Sequence, residues 1–246
     1  MSTATIIWKS IGTGLVACLL IGAVVWGYRM APSDDPCASL EITISDRDER
    51  MYLSEKELCD LLRADDLYPV GRKQDLVSLH RMEQTVRQHP MVRTAECYMT
   101  PRREVRIKLT QRVPLLLVQK PGELYFIDTD RKVMPYRETV KDKVLRVSGT
   151  VSAQTASTHL ADFALWLRDN TYWRSRIWHV QVEKPNSYYL YLRGEHMPRI
   201  VLGSMYGYER KLNKLRTFMD NIPQEVQEKN YQELDIRFRG QVIGRK

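Results

Sequence analysis

Residues 89–114 read HPMVRTAECYMTPRREVRIKLTQRVP, and the organisation of the first half of the chain turns on them. Pro90 has no amide to donate and disfavours helical geometry in the residue before it, so a helix ends there. Met91–Met99 and Val105–Leu109 then read as two strands, joined by Pro101-Arg102-Arg103-Glu104. Upstream of Pro90, Leu76, Leu79, Met82 and Val86 recur at helical spacing after Asp75, which is expected to cap that helix. Further upstream, Ser54-Glu55-Lys56-Glu57 is a capping box ahead of the apolar stripe Leu58, Leu61 and Leu62. Leu40-Glu41-Ile42-Thr43-Ile44 alternates and reads as a strand. The order over residues 40–112 is therefore β-α-α-β-β, and three strands with two helices on one face make a compact α+β unit.

Downstream the pattern shifts toward strands. Tyr125-Phe126-Ile127-Asp128 and Val133-Met134-Pro135 flank a turn. Leu160, Phe163, Ala164 and Leu167 mark a helix. Trp178–Val182 and Tyr188–Leu192 are strands split by Lys184-Pro185-Asn186-Ser187, and Arg199–Leu202 is another. Tyr208, Leu212, Leu215, Met219 and Ile222 step along an amphipathic helix that stops at Pro223. In Glu233-Leu234-Asp235-Ile236-Arg237-Phe238-Arg239 strict alternation sends Leu234, Ile236 and Phe238 to one face and the charged residues to the other. That is a half-buried strand of an antiparallel sheet. A strand near a chain end is often a sheet edge, and its free N–H and C=O groups can take a partner's strand. The competing reading is an edge blunted by those same charges.

Of the 38 Lys+Arg residues only Lys9 and Arg29 lie in the first 30 positions, and no acid precedes Asp34. Between them, Ile11–Tyr28 reads IGTGLVACLLIGAVVWGY. An 18-residue helix is about 27 Å long, close to the hydrocarbon core. Ile11, Leu15, Leu19, Leu20 and Val24 are its lipid-facing apolar residues, with Trp26 and Tyr28 at the interface. A cleaved signal peptide fits less well, since the run is long and Trp26–Met30 offers no small-x-small site. A lipidated Cys18 fits less well, because the apolar run continues past it. The expected topology is a cytoplasmic tail (1–10), one uncleaved transmembrane helix (11–28), a linker (29–39) and two exported domains (40–112 and 113–246). The fold class is α+β: transmembrane helix, small β-α-α-β-β domain, then a larger mixed or antiparallel β domain with two helices.

No motif carries chemistry. The five histidines show no metal-ligand spacing and no C-x-x-C occurs. Cys59 and Cys97 fall in apolar patterns and read as small buried hydrophobes, with a Cys59–Cys97 disulfide as the alternative in an oxidising compartment. Gly203-Ser204-Met205-Tyr206-Gly207 is not a nucleophile elbow, and no phosphate-cradling glycine loop is present. The expectation is a non-enzyme with no cofactor and no small-molecule substrate. The net charge of +8 raises nucleic acid as a partner, but the basic residues are scattered and interleaved with acids, so none is expected.

The β-α-α-β-β unit, with Leu58-x-x-Leu61-Leu62, His89-Pro90-Met91-Val92-Arg93-Thr94-Ala95 and Gln111-Arg112-Val113-Pro114, resembles a POTRA domain of the bacterial cell-division FtsQ/DivIB family. Gln111 stands where that family has glutamate. Tyr125–Pro135 is similar to the stretch opening the family's β domain, with Arg131 at its usual glycine, and Tyr231-x-x-x-Asp235-Ile236-Arg237-Phe238 with Gly240-Gln241 resembles its ending. The resemblance implies a divisome scaffold in the inner membrane at the septum, with a periplasmic C-terminal domain that helps control septal peptidoglycan synthesis. It implies that Leu234, Asp235, Ile236, Arg237, Phe238, Arg239, Gly240 and Gln241 dock FtsB- and FtsL-like bitopic partners, Arg237 as the cationic and Phe238 as the aromatic contact. The rival readings are an outer-membrane assembly or secretion POTRA protein and a membrane-tethered wall hydrolase. The two amphipathic helices after Arg112 argue against a barrel in the first of these.

Overall fold

The computed structural model describes residues 20–22, 35–45, 52–140, 144–221 and 231–246. The expected span therefore lies outside the described residues except for Leu20–Gly22, which are helical. No helix among the described residues is long and apolar enough to cross a membrane.

The first unit runs β1 (Ser39–Ile44), α1 (Glu55–Ala64), a 3₁₀ turn Gln74–Leu76, α2 (Leu79–Gln88), β2 (Val92–Met99) and β3 (Glu104–Gln111). The sheet order is β1-β3-β2, with β1 parallel and β2 antiparallel to β3. The hairpin turns at Arg103, whose φ of 64° a non-glycine residue rarely adopts. Leu58, Leu62, Met82 and Val86 from the helices pack on Ala95, Ile107 and Leu109 of the sheet, all essentially buried. Two peptide groups of the outer strand β2 are held by side chains of α2: Glu83 accepts from the Cys97 amide at 3.2 Å and Arg87 Nε donates to the Ala95 carbonyl at 3.2 Å. Those contacts blunt one edge of this sheet.

Two expectations are corrected here. Asp75 does not cap α2; it sits in the 3₁₀ turn, Leu76 is exposed, and Ser78 precedes the helix without a side-chain bond. The capping box is only half formed: Ser54 Oγ accepts from the Glu57 amide at 3.2 Å, but the Glu57 carboxylate turns to Arg137 Nη2 at 2.6 Å. Cys59 and Cys97 are free thiols, and burial with the Glu83 charge pushes Cys97 up to about 12.

The second unit is a nine-stranded mixed sheet. Its strands are β4 (Pro114–Lys120), β5 (Glu123–Asp128), β6 (Val133–Pro135), β7 (Leu145–Gly149), β8 (Ile177–Lys184), β9 (Ser187–Leu192), β10 (Arg199–Gly203), β11 (Glu233–Asp235) and β12 (Ile243–Arg245). They lie in the order β12-β11-β10-β9-β8-β7-β4-β5-β6. β4, β7 and β8 are mutually parallel, which requires the long crossover between β7 and β8. That crossover holds a helical turn Ala153–Thr155, a π turn Ala156–Leu160, α3 (Ala161–Asp169) and α4 (Thr171–Arg176). α5 (Tyr208–Asn221) links β10 toward β11. Among the described residues the domain thus carries three helices of a turn and a half or more, not two. Turns at Arg131 and Asn186 are left-handed without glycine, with φ of 64° and 61°.

β4 and β5 bury both faces. Leu116, Val118, Tyr125 and Ile127 pack toward Phe163, Leu167 and Trp173, while the alternate residues Leu117 and Phe126 join Met134 and Val140 in the core of the first unit. One apolar core therefore crosses from one domain to the other. Polar contacts cross the same joint or hold the first unit beside it. Buried Gln111 accepts from the Tyr52 and Leu53 amides at 3.0 Å each. Arg112 Nη1 donates to Asp128 Oδ2 at 2.7 Å, with Asp128 only 1% exposed and its other oxygen accepting from the Lys132 amide. Arg93 grips Asp130 through two nitrogens at 2.8 and 2.9 Å. His89 lies 3.5 Å from Glu57, and burial pushes its pKa down, with Glu57 opposing and Arg137 assisting.

Breaking a buried ion pair by removing one partner costs about 3–5 kcal/mol because a charge is stranded. Asp128→Ala is accordingly expected to lower stability by about 3 kcal/mol in denaturant unfolding, and adding Arg112→Met is expected to restore much of it. A double variant as unstable as the single would contradict that account of the joint.

Candidate functional site

The C-terminal segment is not the single strand that alternation predicts. Only Glu233–Asp235 is a strand, and it is paired on both sides: parallel to β10 and antiparallel to β12. Leu234 and Ile236 enter the core as expected, but Asp235 is also fully buried, and Phe238 is 45% exposed. The expectation that residues 233–239 form the free edge is therefore corrected. The edge belongs to β12, which sequence periodicity does not reveal because it is three residues long and contains Gly244.

Asp235 explains the break in alternation. Its carboxylate accepts from the Arg237 amide at 3.1 Å, from Arg237 Nε at 2.9 Å and from Arg237 Nη2 at 2.6 Å. Arg245 Nη2 lies 3.5 Å away, and Arg245 Nη1 also reaches Glu233 at 3.2 Å. A charge can be buried when it is paired and hydrogen-bonded in this way. Burial pushes the Asp235 pKa up, but the bonds and charges of Arg237 and Arg245 outweigh it and hold the carboxyl below its usual range. Two close approaches fit the arrangement. Gly203, at φ 69°, leaves room for the Arg237 stem, since a Cβ there would lie 2.8 Å from Arg237 Cδ. Gly244 lets β12 lie against Tyr231, whose ring carbon would be 2.4 Å from an added Cβ.

Residues 237–241 form an exposed loop from β11 to β12. α5 anchors its start: Lys214 Nζ donates to the carbonyls of Ile236, at 3.0 Å, and of Phe238. Lys211 Nζ donates to the carbonyls of Leu202 at 3.1 Å and Ser204 at 2.7 Å. Burial lowers the pKa of both lysines, as does the neighbouring charge of Arg210. Arg210, Lys211, Lys214, Arg237, Phe238, Arg239 and Gly240 line one cavity between α5 and this loop. It is a basic groove with an aromatic ring on its wall, formed in part by the loop that leads into β12.

Among the expected partner residues, then, Leu234, Asp235 and Ile236 are internal, while Arg237, Phe238, Arg239, Gly240 and Gln241 are exposed. Of the expected membrane residues, Leu20 lies in the described helical fragment; Ile11, Leu15, Leu19, Val24, Trp26 and Tyr28 fall outside the described residues. Lys211, Lys214, Arg245, Gly203 and Gly244 were not signalled by sequence pattern. No group of three or more His, Cys, Asp or Glu side chains among the described residues could hold a metal ion.

Comparison with known families fits this architecture in two blocks. A family described as FtsQ/DivIB, C-terminal related, matches residues 113–245, and a POTRA-like domain matches residues 35–110. The chain belongs to the FtsQ/DivIB family. Comparison with curated individual proteins finds no match. The FtsQ/DivIB and POTRA-like domains point to a division-related scaffold that interacts with other divisome proteins, and the family implies a division-site membrane protein.

The Asp235 contacts make a pH prediction. A carboxyl whose folded pKa is held low contributes stability above its unfolded value of about 3.9, and that contribution is lost as pH falls through the lower folded value. Asp235→Asn is expected to release the loop at neutral pH as well, raising the rate of tryptic cleavage after Arg237 or Arg239 about tenfold, in line with an opening cost reduced by about 1–3 kcal/mol. An unchanged cleavage rate would remove Asp235 as the anchor.

Proposed function

We propose that this FtsQ/DivIB-family protein is a non-enzymatic divisome scaffold whose C-terminal edge captures FtsB- and FtsL-like partners by strand addition on β12. The observation that carries the reading is the pairing order: β12 is the outermost strand at its end of the sheet among the described residues, and the loop leading into it lines a groove of five cations and one exposed aromatic ring. An edge strand gives affinity through backbone bonds that, proline apart, do not depend on side-chain identity. The groove supplies choice of partner. Arg210 and Arg239 have no acidic partner among the described residues, so an incoming acidic strand would meet unsatisfied positive charge. Phe238 offers a ring face or edge to an apolar side chain, and Arg237 stacks on it at 5.6 Å.

Ile11–Tyr28 would tether the chain in the inner membrane, with residues 1–10 cytoplasmic and both domains periplasmic at the septum. Confinement to one surface raises the effective concentration of partners that share it, so a modest edge affinity suffices for recruitment. Helping to control septal peptidoglycan synthesis is then a matter of which proteins are held together.

Phe238→Ala is expected to weaken binding of an FtsB-like periplasmic segment by about tenfold, or about 1.4 kcal/mol, in a titration with the full chain. Gly244→Pro should abolish it, whereas Gly244→Ala, which puts the same Cβ against Tyr231 but keeps the N–H, should retain more of it. Full-strength binding by Gly244→Pro would sink strand addition at β12.

A further inference from the structure

We propose that a second docking site, separate from the β12 edge, takes an acidic peptide segment that inserts one aromatic or leucyl side chain between arginines. The site is a cleft at the end of the sheet where the parallel strands β4, β7 and β8 begin, roofed by the end of α3 and by α4. Its floor is apolar: Leu115, Leu145, Leu167, Ile177 and the Trp178 ring line it. Its rim carries Arg168, Arg174 and Arg193, all exposed.

Three features fix the chemistry of the occupant. The first is charge. Arg174 and Arg193 have no ion-pair partner among the described residues, and Arg168 has only the adjacent Asp169 at 3.1 Å, itself exposed. Arginines elsewhere are committed to acids, Arg93, Arg112 and Arg137 at the domain joint and Arg131 to Asp162 within the β domain. Three guanidinium groups around one opening favour an anionic occupant, and a guanidinium can bind a carboxylate through two N–H groups. The second is size. The cavity holds about 160 Å³. A dry apolar cavity of about 150 Å³ accommodates benzene, so this cleft has room for one aromatic or branched side chain. The third is separation. The cleft is lined by the starts of β4, β7 and β8, whereas the basic groove is lined by α5 and residues 237–240, with no residue in common. Carboxylates flanking a Phe or Leu would reach the rim while the side chain fills the floor, the arrangement of an anchor residue with charged surroundings.

The test uses the full chain in nanodiscs of neutral lipid and a fluorescent peptide, Asp-Glu-Asp-Phe-Glu-Asp-Glu, read by anisotropy at low salt. Saturable binding is expected, weakened at least tenfold by replacing the peptide Phe with Ser and at least tenfold by Arg174→Glu with Arg193→Glu. Phe238→Ala should leave it unchanged, so loss at the β12 edge and loss here are distinguishable. Thermal melting keeps the double variant honest, since both arginines are exposed and an unchanged midpoint is expected. Binding indifferent to the Phe→Ser exchange, or to the arginine reversals, would overturn the proposal. So would binding to vesicles of phosphatidylglycerol, reduced by the same reversals, with none to the peptide.

Discussion

A single carboxylate organises residues 233–245 of this protein. Asp235 sits fully inside the fold and accepts from three donors of Arg237 while Arg245 approaches from the next strand. A buried carboxylate must be satisfied or neutralised. Satisfying it from residues two and ten positions later bends the chain out of β11 and returns it as β12. The constraint thus decides which backbone faces outward. It makes Glu233–Asp235 an inner strand and gives the outer position, among the described residues, to Ile243–Arg245.

The same region shows how charge and packing divide the work. Lys211 and Lys214 donate to carbonyls of the β10 end and of the loops that follow β10 and β11, which places α5 against the sheet end. Arg210 and Arg239 are left to line the groove. In the POTRA-like unit the balance is reversed, since Glu83 and Arg87 close part of the β2 edge with side chains of the protein's own helix. The two domains are also not independent beads. Leu117 and Phe126 of the β domain lie in the core that Leu58, Met82 and Ile107 build, so a load on one domain is transmitted to the other through packed side chains.

Much of this was legible in the sequence. The order β-α-α-β-β follows from apolar spacing, Pro90 and the turn at Pro101–Glu104, and α5 follows from its regular stripe. The misses have physical causes. β4 was unreadable by alternation because both of its faces are buried, so it reads as a run of apolar residues. α4 is six residues long and carries one buried side chain, Trp173, too short for a period to show. The alternation from Glu233 to Arg239 misled because it assumes that charged residues face water, whereas Asp235 is internal and finds its partner locally. β12 has a glycine at its centre, and only the Tyr231 ring that fills the space beside it shows why. The arginine cleft brings together residues from positions 115 to 193, which no linear pattern could place side by side.

The central claim is that β12 offers backbone to a partner. Amide hydrogen exchange at Ile243–Arg245, followed in the full chain with and without a saturating FtsB-like periplasmic segment, reports that directly. Exchange there is expected to slow by at least tenfold on binding, with the Ser39–Ile44 strand unaffected. Equal rates at residues 243–245 in the free and fully occupied protein would contradict the account.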